Sequence, residues 1–135
     1  MTCEAGTGRD NVEESMHFLM INVLVDSFEN EGFTVRADHV GGLRPLPAAI
    51  GRFIPDIEAR RGDDLCLIEV ETQTTLDSPR TRQQIEELSR QPHARCYLAV
   101  PFDCIERARK VRECLEAKIS ILPCYPFVRY VGIPK

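Results

Sequence analysis

The sequence predicts a mixed α/β fold, a single β-sheet flanked by helices in the order α-β-β-β-α-β-α-β. Three observations carry that reading. Apolar residues recur at helical spacing near the start of the chain and again in its second half. Two short apolar runs are joined by Gly62-Asp63, a hairpin turn signal. Beyond the hairpin, strand–helix–strand segments of this length imply a right-handed parallel crossover. An antiparallel hairpin and parallel strands therefore share one sheet. At 135 residues the chain suffices for one domain with a substantial core. Residues 1–10 read as a flexible N-terminal tail and 11–135 as a single domain.

The first helix is expected from Asn11 to about Glu31, with Val12, Met16, Leu19, Met20, Val23 and Phe28 as its apolar set. Asp10 or Asn11 caps it, and Gly32 stops it. Phe33–Asp38 alternates as a strand should. His39–Arg52, rich in Gly and Pro, is a long loop of the kind that carries function. Two strands follow, about 54–60 and 65–72. Ser78-Pro79 supplies a cap and a first-turn proline for a helix running to about Arg90, anchored by Ile85 and Leu88 and ended by Pro92. Arg95–Val100 is a strand. Ile105, Ala108, Val111 and Leu115 mark an amphipathic helix within Asp103–Lys118. Ile119–Leu122 is the next strand, and FVRYVGI near the C-terminus is a candidate edge strand.

Composition narrows the function classes. Hydrophobic residues make up 43% and charged residues 28%, as in an ordinary globular chain. No stretch reaches the roughly 18–20 apolar residues of a membrane span. The opening MTCEAGTGRDNVEES has no basic head followed by an apolar core, so a cytoplasmic location is expected. Six cysteines form no CxxC pair and read as reduced thiols. His17, His39 and His93 are isolated and are assigned to surface or packing roles. A net charge of −4 gives no global attraction to nucleic acid but leaves room for a local basic strip. Arg107, Arg109, Lys110 and Arg112 form such a strip, yet Glu106, Glu113 and Glu116 interleave it, which favours ion pairing along one helix. Of 17 basic residues only Lys110, Lys118 and Lys135 are lysine.

The segment PDIEARRGDDLCLIEVET, residues 55–72, is the most informative. With Gly62-Asp63 as a two-residue turn, Arg61 pairs with Asp64, and five residues back on each strand Asp56 falls opposite Glu69. Directly opposed residues share a face. Glu71, two residues beyond Glu69, shares it too. A one-residue slip would undo this placement. Three acids on one face repel one another. A raised carboxyl pKa, a neighbouring arginine such as Arg80 or Arg82, or a bound divalent cation could offset the repulsion.

A Pro-Asp opening one strand, a hairpin, and an acid-x-acid at the end of the next strand resembles the PD-(D/E)xK nuclease superfamily. The lead-in helix and the following strand–helix–strand are similar to that restriction endonuclease-like core over residues 11–124. The resemblance implies a Mg²⁺- or Mn²⁺-dependent nuclease that hydrolyses phosphodiester bonds, with DNA as the expected partner. By position, Asp56 and Glu69 would be the metal-binding acids, and Glu13 or Glu14 of the first helix could add another. Glu71 stands where the superfamily usually has lysine, and no lysine precedes Lys110.

That departure leaves two readings. Some restriction endonucleases of the superfamily carry glutamate here and still cut. In that case Glu71 would be a metal ligand or general base, and Arg82 or Gln84 on the following helix, beside Arg80 and Gln83, would donate to the scissile phosphate. Alternatively, catalysis is lost and the fold serves as a binding or regulatory module. A homodimer would help to cut both strands, although the sequence itself shows none.

Overall fold

The computed structural model describes residues 11–38, 44–125 and 131–134. Helix α1 spans Asn11–Asn30, and Gly32, at φ +93°, turns the chain out of it into β1, Thr34–Ala37. Strands β2 (Ile57–Arg61) and β3 (Asp64–Val70) form the hairpin, helix α2 spans Pro79–Ser89, and β4 is Arg95–Pro101. A 3-10 turn, Phe102–Cys104, leads into α3, Ile105–Leu115, and β5 is Ser120–Cys124. The element order is the expected one. The stretch 126–130 lies outside the described residues, as does His39, and residues 131–134 form no strand.

The strands lie side by side in chain order, β1-β2-β3-β4-β5. β1 pairs with β2 and β2 with β3 in antiparallel fashion, whereas β3 with β4 and β4 with β5 pair in parallel. The hairpin register is the expected one: Arg61 faces Asp64 and Ile57 faces Ile68. Gly62, at φ +62°, supplies the left-handed residue that this turn requires.

Helices cover both faces. On one side α1 packs Ile21, Leu24, Val25 and Phe28 against Ile57, Ile68, Val70, Tyr97 and Leu122. On the other, Ile85 and Leu88 of α2 and Ala108 and Val111 of α3 meet Leu67, Leu98 and Val100. β3 is thus covered on both sides, which accounts for its unbroken apolar run.

The face of α1 differs from expectation. Val12 and Leu19 are 74% and 64% exposed, and Met16 is exposed too, while Ile21, Leu24 and Val25 are buried. The segment Phe18–Val25 is apolar at almost every position, so its periodicity can be phased two ways. Packing against the sheet selects the phase that also buries His17.

The basic strip on α3 is tied down in part as expected. Arg109 pairs with Glu106 one turn away, but Arg107 reaches off the helix to Asp77 at 2.6 Å. Cys66, Cys96, Cys104, Cys114 and Cys124 are free thiols, all but Cys114 buried. Among the described residues no helix is long and apolar enough to cross a membrane.

Candidate functional site

Asp56 lies one residue before β2, where the ladder with β3 ends. Side chains continue the pairing there. The Val70 N–H donates to Asp56 Oδ2 at 2.8 Å, and the Asp56 N–H donates to Glu69 Oε1 at 3.3 Å. Each acid thus binds the other's strand. The Asp56 carbonyl accepts the Asp38 N–H at 2.9 Å, which fastens the same residue to the end of β1.

Glu69 and Glu71 point to the Leu67 side of β3 by alternation. Both are 4% exposed. The Glu71 N–H donates to the Ala99 carbonyl at 2.9 Å, so pairing with β4 extends one residue past the strand and fixes the backbone of that acid. Burial pushes the Glu69 carboxyl well above its ordinary range, and the neighbouring charges of Asp56 and Glu71 push it further the same way. The folded chain therefore favours a proton on this group, or a cation beside it.

A threonine-rich bend carries the chain from Glu71 to α2. The Thr75 hydroxyl accepts the Thr72 N–H at 3.1 Å, and the Thr81 hydroxyl donates to the Thr75 carbonyl at 2.8 Å. Ser78 caps α2 as expected, accepting the Thr81 N–H at 3.1 Å. These bonds hold the first turns of α2 over the acids. Thr81 and Gln84 are buried there, and both line a cavity of about 130 Å³ with Asp56, Glu69, Glu71 and Arg80. Arg82 is half-buried and is not among the lining residues.

Helix α1 contributes a residue that its spacing did not single out. His17 is buried in the same lining, with Nε2 3.6 Å from Asp56 Oδ2 and Nδ1 without a hydrogen-bond partner among the described residues. That distance is too long for a hydrogen bond but within reach of a charge interaction. Glu13, one turn earlier, turns instead to Thr74, whose hydroxyl donates to it at 2.8 Å. Neither Glu13 nor Glu14 lines the cavity. His93 is exposed in the loop between α2 and β4.

The donor set is one that a hard divalent cation favours: carboxylates from two paired strands, on one face, with one carboxyl destabilised as an anion. Among the described residues no three such side chains already converge as a metal-holding group. The strand N–H groups take up one oxygen of Asp56 and one of Glu69.

No family model matches the chain, and no curated protein does. Among solved structures it is similar to an XisH family protein from Nostoc punctiforme PCC 73102, with a TM-score of 0.52 and 15% sequence identity. The match covers 84% of this chain and 95% of that one. At that identity the likeness concerns the fold, a restriction endonuclease-like mixed sheet flanked by helices.

Proposed function

We propose that this chain is a divalent-cation-dependent phosphodiesterase acting on nucleic acid, with DNA ahead of RNA as substrate. The observation that carries the reading is the burial of Glu69 against both Asp56 and Glu71 on one strand face. Three acids arranged so are costly unless they neutralise something. Asp56 and Glu69 would hold Mg²⁺ or Mn²⁺, with Glu71 as a further ligand. A bound ion of this kind supplies Lewis acidity and lowers the pKa of an attacking water. Glu71 would accept that water's proton, acting as general base where it does not ligate. Gln84, which lines the cavity from α2, would donate its amide hydrogens to a phosphate oxygen.

Purified protein with Mg²⁺ or Mn²⁺, offered single- and double-stranded DNA and RNA, tests the proposal. Cleavage that disappears in Asp56→Ala and Glu69→Ala supports it. Cleavage equal to those controls removes the enzyme reading for the substrates tried.

A second reading rests on Glu71 itself. It is a buried carboxylate at the end of β3, and a carboxylate supplies no positive charge to a developing phosphorane. A chain that kept this fold for binding alone would show no specific cation affinity at the cluster, and Glu69→Gln would leave its function unchanged. Tight Mn²⁺ binding that Glu69→Gln abolishes would count against it.

A further inference from the structure

The acidic cavity opens into a larger groove. Residues 49–54 form one wall and α2 the other, enclosing about 990 Å³. Asp38, Ile54, Arg80 and Gln84 line both spaces, so they are continuous.

The wall opposite α2 is a built turn. Ile50 and Phe53 exchange backbone hydrogen bonds at 2.7 and 3.1 Å. Gly51 at its bend has φ +59°, and a Cβ there would meet the Glu87 carboxylate at 3.1 Å. A larger residue would be strained at that backbone angle and would have to push the Glu87 carboxylate back by a few tenths of an ångström. The turn therefore holds Arg52 at a fixed place on the groove.

Arg80 faces it from the first turn of α2. Both arginines are exposed, and among the described residues neither has an ion-pair partner. Arg90, also on the groove, is held by Glu87 at 3.5 Å. The position of Arg80 is unusual in a second way. A cation in the first turn of a helix opposes the helix dipole, and α2 has no acid there to compensate. Two unpaired guanidinium groups, on opposite walls of one groove that runs into a carboxylate cavity, suit an extended polyanion. The groove also presents Phe53 and Ile54, apolar surface of the kind that bases pack on.

We infer that the groove between the Ile50–Phe53 turn and α2 binds a single phosphodiester strand, with Arg80 contacting the phosphate nearest the acids and Arg52 one further along. The inference rests on the phosphodiesterase reading for its choice of occupant. The two fail separately in the test below.

A short fluorescein-labelled single-stranded oligonucleotide is titrated with the Glu69→Gln protein, and anisotropy is followed over a range of salt. Adding Arg52→Ala or Arg80→Ala should each weaken binding several-fold and reduce the slope of log affinity against log salt by roughly 0.7–1. Lys110→Ala, on the exposed face of α3, should change neither beyond the small effect of any surface charge. A duplex of the same sequence should bind more weakly than the single strand. Unchanged affinity and slope in the Arg52→Ala/Arg80→Ala double variant would overturn the inference, as would preferred duplex binding or no binding at all. Binding that needs both arginines in a protein that never cleaves would keep the groove and remove the hydrolase. Cleavage by wild type with the same KM in the double variant would do the reverse.

Discussion

Asp56 and Glu69 each bind the other's strand: the Asp56 carboxylate accepts the N–H of Val70, and the Glu69 carboxylate accepts the N–H of Asp56. This reciprocal exchange closes the end of the β2–β3 ladder with side chains. It also forces two acids, and Glu71 beside them, into a space with little water. The energetic consequence falls on Glu69, whose carboxyl is held well above its ordinary value of 4.5 by burial first and then by its two acidic neighbours.

Because the folded chain keeps a proton that the unfolded chain has released, this group's effect on stability has a definite sign. It costs nothing below about pH 4.5, where both states are protonated. Stability falls as the pH rises from there through the raised folded value, then levels off. Glu69→Gln removes this fall and retains an acceptor for the Asp56 N–H. The variant should be more stable than wild type at pH 8 by on the order of 1–2 kcal/mol, and the gap should close toward pH 5. Thermal melts across that range read the difference. A gap that is constant with pH, or a variant less stable at pH 8, would contradict the account.

The same like-charge cluster should respond to cations. At a Mg²⁺ or Mn²⁺ concentration of about a hundred times Kd, a native-only binder gains about 2.7 kcal/mol, a rise in Tm of roughly 8–15 °C at this size. Asp56→Asn and Glu69→Gln should each abolish most of that rise. Na⁺ at matched ionic strength separates specific binding from screening. Equal shifts in wild type and both variants would leave the acids without a metal role.

Much of this arrangement is legible from residue order. Gly62-Asp63 sets the hairpin register, and register with period-two alternation puts Asp56, Glu69 and Glu71 together without any tertiary information. The cap at Ser78 is equally local. Other features depend on packing. The phase of α1 is ambiguous because its centre is apolar all round, and with the phase went His17, whose place beside Asp56 exists only once α1 lies on the sheet. Arg80 and Arg82 sit two residues apart on one helix, and which of them lines the cavity depends on how α2 is rotated by Thr75, Ser78 and Thr81. The wall formed by the Ile50–Phe53 turn has a glycine as its sole local signal.

His17 separates packing from function. Its Nδ1 is buried without a partner among the described residues, a state that normally costs about 1–3 kcal/mol. Leucine fills a similar volume with no polar atom to satisfy. His17→Leu should therefore leave stability within about 1 kcal/mol of wild type, or raise it. If the imidazole serves the acids, the Mg²⁺-induced rise in Tm should shrink in the same variant. A full cation response in a well-folded His17→Leu protein would reduce the histidine to core filling.

Glu71→Lys is the sharpest substitution available at the site. Glu71 is one of the two carboxylates that push the Glu69 proton affinity up, so replacing it with a cation reverses that push and leaves burial and Asp56. The Glu69 carboxyl should then ionise more readily, and the fall in stability with rising pH should become shallower than in wild type. The new ammonium is itself buried beside the remaining carboxylates, which offset its burial, so net stability at pH 8 should change by less than about 2 kcal/mol in either direction. Its effect on the cation response distinguishes two roles for the native residue. As a ligand, Glu71 contributes an oxygen and a negative charge, and its loss should weaken Mg²⁺ stabilisation by several-fold in apparent affinity. Glu71→Gln, which brings no positive charge of its own, isolates the second role: as a general base alone, its loss there should leave cation affinity largely intact and lower the cleavage rate instead. Melts at graded Mg²⁺, paired with a cleavage time course at saturating Mg²⁺, read both quantities from each variant. Unchanged affinity together with unchanged rate would exclude Glu71 from either role and place the site's chemistry on Asp56 and Glu69 alone.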